Sequence, residues 1–190
     1  MAHTGPAGHR EHKLADTVSP LAHMPAALQS LLRDLPEIWT HRNEGENTWT
    51  AFDVVGHLVY AERADWMPRV RTILEHGESR VFAPFDRLGM QHESKAKTLG
   101  LLLDEFSQIR EQNLADLAAL KLHEGDLAKR GRHPVFGSVT LGQLLATWAA
   151  HDLTHLHQLS RLMAHQYREA VGPWSVYLGV MQCDGHSSAS

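Results

Sequence analysis

The sequence predicts an all-α protein, a four-helix bundle with long connections and a short C-terminal helical segment. Apolar residues recur at three- and four-residue steps in four long stretches, and no stretch alternates apolar with polar residues as a half-buried strand would. The length agrees with a single domain: 190 residues allow a chain to bury about 70% of its unfolded surface without staples.

Residues 1–20 mix Gly, Pro, His and charge without periodicity and read as a flexible arm. The bundle domain is expected over residues 21–182, and residues 183–190 form a tail of small residues. From Pro25 to His41, Leu28, Leu31, Leu32, Leu35 and Trp39 mark the first helix. Thr50 and Asp53 resemble a capping box ahead of Val54, Val55, Leu58 and Ala61, so a second helix runs to about His76 and stops at Gly77. Pro68 falls inside it and predicts a kink near Ala64 and Asp65. A long connection follows, carrying Val81, Phe82, Phe85, Leu88 and Gly89. Leu102, Phe106, Ile109, Leu117 and Leu120 define a third helix from Thr98 to Leu122, which supplies core and no evident chemistry. A polar, Gly- and Pro-bearing linker then leads to a second capping box, Thr140 with Gln143. The fourth helix begins there, with Leu141, Leu144, Leu145, Trp148, His155, Leu159 and Leu162 on one side.

Composition narrows the function classes. The single cysteine, Cys183, permits no intramolecular disulfide, so the cytoplasm is the default location. The N-terminus lacks the apolar core of a secretory signal, and no run approaches the ~18 apolar residues of a membrane span. Eighteen basic against twenty-two acidic residues, without a basic stripe, argue against nucleic acid as a partner.

Fifteen histidines are the compositional oddity, and their placement decides their meaning. His3, His9, His12 and His186 fall near the ends. His23, His76, His92, His123, His133 and His165 lack paired geometry, and His157 points away from its neighbours. His151 and His155, in HDLTHLHQ, are four residues apart, so on a helix they differ by roughly 40° in direction and about 6 Å in height and can reach one ion. Their edge is flanked by Leu144, Trp148 and Leu159, which turns both rings inward. His57, in the apolar stripe of the second helix, can face the pair. Three neutral imidazoles on two helices suit Zn, Ni, Fe, Mn or Cu and leave coordination positions open. A zincin reading is weaker, because Asp152 stands where that motif needs Glu. Asp152 and Gln158 are candidates for orienting a ligand ring, and Glu62 and Asp65 for a fourth ligand or base, with salt bridges to Arg63 or Arg69 as the alternative.

Taken together, TWTAFDVVGHLVYAE, AAHDLTHLHQLSRLM and YREAVGPWSVYL resemble the DinB/YfiT-like superfamily, whose members are regarded as metalloenzymes. The resemblance spans most of residues 21–180 and includes Trp49 and the Gly172, Pro173, Trp174 turn. It implies that His57, His151 and His155 hold one divalent metal ion. It also implies a homodimer acting on a small-molecule substrate. Family members with an assigned chemistry use low-molecular-weight thiols such as bacillithiol, mycothiol or glutathione, which implies thiol transfer to a small electrophile. Metal-dependent hydrolysis is the alternative, since the same site can activate water. A non-catalytic, stress-related metal-binding bundle is the rival of a different class. A haem bundle fits the fold but needs two ligands on opposite faces of a flat ring.

Overall fold

The computed structural model describes residues 13–86 and 93–183. Expectations placed on His3, His9, His12, Leu88, Gly89, His92, His186 and most of the tail lie outside the described residues. Four long helical segments form the expected bundle. No helix among the described residues is long and apolar enough to cross a membrane.

Helix α1 spans Leu14–Leu32, well upstream of the expected start at Pro25 and into the supposed arm. The apolar register explains the extension, because Thr17, Leu21, Met24, Leu28 and Leu32 are all buried at helical spacing. Pro20 and Pro25 both lie inside α1, and each removes one backbone donor. Pro25 cannot bond the Leu21 carbonyl one turn back, and that oxygen accepts instead from Arg110 Nη1 at 2.8 Å. Pro36 then starts a separate short helix, α2 (Glu37–Thr40), so the single expected helix over 25–41 is two elements.

Helix α3 (Ala51–Ala64) starts at the expected capping box: Asp53 N–H donates to Thr50 Oγ1 at 3.1 Å and Thr50 N–H to Asp53 Oδ2 at 2.8 Å. The chain breaks at Asp65, where the kink was expected, and resumes as α4 (Trp66–His76), which ends at Gly77 with φ 55°. Helices α5 (Leu99–Ala119) and α6 (Leu141–His165) start at Thr98 and Thr140, whose side chains accept from Leu101 and Gln143 N–H. Turns of 3-10 helix at Gly172–Tyr177 and Gly179–Met181 form the short C-terminal segment.

The linker before α6 is not irregular, as expected, but a hairpin of β1 (Arg130–His133) and β2 (Gly137–Thr140), antiparallel with Arg130 opposite Thr140 and His133 opposite Gly137. Four-residue strands with one apolar side chain between them carry too little alternation to register in the sequence. Gly131 docks β1 onto α4, for a Cβ there would meet Ile73 Cγ1 at 2.5 Å and Phe82 Cζ at 2.9 Å. Gly131→Ala is therefore expected to lose about 1–3 kcal/mol by overpacking; an unchanged urea midpoint would refute this docking.

The apolar core falls into two clusters. One gathers Leu21, Trp66, Val70, Leu117, Leu141 and Trp148, the other Leu28, Val55, Leu58, Phe106, Leu159 and Leu162. Each of α1, α3, α5 and α6 contributes to both. Where α3, α5 and α6 pass from one cluster to the other, they carry buried polar residues: Glu62, Arg110, Asn113, Asp152 and His155. A polar layer thus crosses the bundle between its two apolar halves.

Candidate metal centre

His57 on α3 and His151 and His155 on α6 meet at this layer. His151 Nε2 lies 3.0 Å from His57 Nε2 and 3.1 Å from His155 Nε2, and one nitrogen from each ring falls within 4.8 Å of the others. Gly56, beside His57, leaves room for the 93–97 segment over α3: a Cβ there would meet Ser94 Oγ at 2.4 Å and Ser94 Cβ at 3.1 Å, so any side chain would push Ser94 aside. Aromatic rings wall the cluster. Trp49 stands 5.0 Å from the His57 ring and 6.3 Å from that of His155, Phe85 5.3 Å from His57, and Trp66 5.1 Å from His151.

The hydrogen-bonding pattern fixes one tautomer. His155 Nδ1–H donates to Gln158 Oε1 at 2.7 Å, so its Nε2 carries a lone pair facing the other rings. Gln158, one of the candidates for orienting a ligand ring, is thus hydrogen-bonded to the His155 imidazole. No single proton on His151 Nε2 gives both of its nitrogen neighbours a full hydrogen bond, whereas a cation satisfies three lone pairs at once. Two nitrogens each ~2.1 Å from one ion lie roughly 3.0–3.4 Å apart, so the observed spacings fit a first-row divalent ion. His151 Nδ1 and Trp49 Nε1 are buried with no hydrogen-bond partner, a condition that costs on the order of 1–3 kcal/mol per group.

Glu62 and Asp152, candidates for a base or a ring-orienting group, are not placed against the imidazoles. Both are held by Arg110, with Nη2 to Glu62 Oε1 at 2.8 Å and Nη1 to Asp152 Oδ2 at 2.7 Å. Glu62 Oε1 also accepts from Trp148 Nε1 at 2.8 Å, and Glu62 Oε2 from Asn113 Nδ2 at 3.0 Å. Burial pushes the Asp152 carboxyl up to about 6 even though Arg110 pulls it down. Asp65 pairs with Arg69 on the same helical stretch, the salt bridge weighed for it, and burial raises its carboxyl in spite of that partner. Arg110 and Asn113 escaped the sequence reading. The signal was present as two polar residues at stripe positions of α5, between Phe106 and Leu117.

Burial, then the neighbouring His155, His57 and Arg110, lower the His151 imidazole to about 2, and burial lowers that of His155 against the opposing effect of Gln158. In the folded chain both groups bind protons more weakly than the ordinary imidazole near 6.5. As pH falls through 6.5, the unfolded chain takes up protons that the folded one refuses, and metal-free stability drops. The expected slope is about 1.4 kcal/mol per pH unit for each such histidine. Urea midpoints at pH 7.5 and 5.5 check it, and equal midpoints would count against buried neutral rings.

Comparison with known proteins adds family and fold. The family model described as the DinB superfamily matches residues 21–159, a span that contains all three histidines. YfiT from Bacillus subtilis, a probable metal-dependent hydrolase with an unusual four-helix bundle topology, superposes with a TM-score of 0.71 at 18% identity. The alignment covers 86% of this chain and 93% of that one. TT2238, a four-helix bundle protein, gives a TM-score of 0.48 at 22% identity over 80% of this chain and 99% of its own. No curated protein matches the chain.

Proposed function

This chain belongs to the DinB superfamily, and from that premise we propose that it is a metal-dependent enzyme whose three-histidine site activates a small nucleophile, a low-molecular-weight thiol in the leading reading, for attack on a small electrophile. The observation that carries this reading is the convergence of His57, His151 and His155 nitrogens from two helices. A divalent cation held there supplies positive charge that lowers the pKa of a thiol or water beside it.

The protein's own residues do the rest. His57, His151 and His155 act as neutral ligands rather than bases, and Gln158 keeps the His155 lone pair turned toward the ion. Trp49, Trp66 and Phe85 keep bulk water away and suit an apolar electrophile. Glu62 and Asp152, the buried carboxylates flanking the histidines in sequence, are committed to Arg110 rather than poised as general bases. That favours a nucleophile needing little help: a thiol with pKa of about 8.5 is far nearer to ionisation than water at about 15.7. Hydrolysis is the second reading, favoured by the description of the Bacillus subtilis neighbour.

The test loads the protein with Zn, Ni, Mn or Fe and offers 1-chloro-2,4-dinitrobenzene with bacillithiol, mycothiol or glutathione, beside p-nitrophenyl acetate without thiol. Thiol-dependent turnover that disappears in His155→Ala is the expected result. Metal-dependent turnover of the ester alone would replace transfer by hydrolysis. Stoichiometric metal with no turnover in either arm would favour the non-catalytic bundle.

A further inference from the structure

We propose that Arg110 is the positioning residue of the three-histidine site, fixing the rotation of α3 against α6 so that His57, His151 and His155 converge. The inference rests on the metal-site reading above and extends it to a residue on a third helix.

All five N–H donors of the guanidinium are engaged. Nε and Nη2 reach the two Glu62 oxygens at 3.0 and 2.8 Å, Nη1 and Nη2 reach the two Asp152 oxygens at 2.7 and 3.2 Å, and Nη1 also reaches the Leu21 carbonyl at 2.8 Å. The fork is planar and rigid, so it dictates where both carboxylates stand relative to one another. Through them it joins α5 to α3 and α6, and directly to α1, where the contact exists because Pro25 leaves the Leu21 carbonyl free. Asp152 is the neighbour of His151 in sequence, and any rotation of α6 that moves one moves the other. Glu62 lies five residues beyond His57 and is also tied to α6 through Trp148 Nε1. Arg110, Glu62 and Asp152 are 1, 1 and 2% exposed. An ionic cluster this dry is weak evidence for stability, since well-packed apolar residues often do as well. What the rigid fork adds is a directional constraint on the angular register between helices.

The test is Arg110→Lys, which keeps the charge and most of the volume but replaces the fork with one ammonium. In the Co(II)-loaded protein the expected result is an affinity about tenfold weaker, with a shifted visible ligand-field spectrum, in a fraction that remains folded. A lower melting temperature with wild-type Co(II) affinity and spectrum would overturn the proposal and leave Arg110 a merely structural residue. If Arg110→Lys does not fold, Asp152→Asn, nearly isosteric, is read the same way. If the wild type binds no Co(II), the metal reading fails separately. The inference is then decided by a crystal structure of the metal-free variant: His57 and His151 Nε2 separated well beyond their 3.0 Å supports it, and unchanged spacing overturns it.

Discussion

His151→Ala is expected to abolish stoichiometric binding of a divalent cation, and with it the thermal stabilisation expected of that cation in the wild type. His151 is the middle member of the cluster, the one whose Nε2 lies within 3.1 Å of both other rings. Outer partners of metal ligands typically matter by roughly 10- to 100-fold in affinity, so deleting the central donor should exceed that. At a cation concentration about 100 times its Kd, the wild type gains about 2.7 kcal/mol of stability by linkage, and the variant gains essentially none. Without metal the two differ far less. The alanine loses packing against Trp66, but it also removes an Nδ1 that is buried with no partner. Elemental analysis and melting curves with and without Zn check both halves, and one retained equivalent of tightly held metal would remove His151 from the ligand set.

The parts of the fold legible in the sequence were those in which a local signal and the tertiary pattern agree. Thr50 with Asp53 and Thr140 with Gln143 cap helices where their spacing predicts, and the break at Asp65 follows from Pro68 one turn on. The first helix was started too late because residues 1–20 were read as lacking periodicity. Burial of Thr17, Leu21 and Met24 outweighs the donors that Pro20 and Pro25 withhold, and one of the freed carbonyls is put to use. The hairpin was illegible for a different reason: its strands are held by backbone bonds and by the absence of a side chain at Gly131, neither of which leaves an apolar pattern.

The histidine triplet was legible because two of its members share one helix face and the third lies on a separate apolar stripe. The roles of Glu62 and Asp152 were not, since carboxylates beside candidate ligands have the same sequence appearance whether they face a metal or a guanidinium. The deciding residue lies on α5. Arg110 interrupts an apolar stripe, and such an interruption in a helix that is otherwise core is the trace of a buried polar partner.

That partner dominates the largest stability effect expected of a single change. Arg110→Met leaves two carboxylates, 1 and 2% exposed, facing each other without a counter-ion, and breaking a buried pair in this way costs about 3–5 kcal/mol. Against a total of roughly 5–15 kcal/mol for a domain, that brings the chain close to unfolding. The loss depends on pH in a direction opposite to that of the metal-free wild type. Burial already raises the Asp152 carboxyl and Arg110 opposes it, so removing the guanidinium raises the carboxyl further. A folded-state pKa above the unfolded value confers stability that is lost as pH rises through it, so Arg110→Met should be closer to wild type at pH 5 than at pH 8. Urea denaturation at the two values reads this, and an equal deficit at both would mean that the carboxylates find another partner. Adding Glu62→Gln and Asp152→Leu to the variant removes the stranded charges while leaving Trp148 an acceptor, and should restore most of the stability. If Arg110 acts by register, that restored protein folds but still holds its metal loosely; tight metal with restored stability would show that packing alone sets the register.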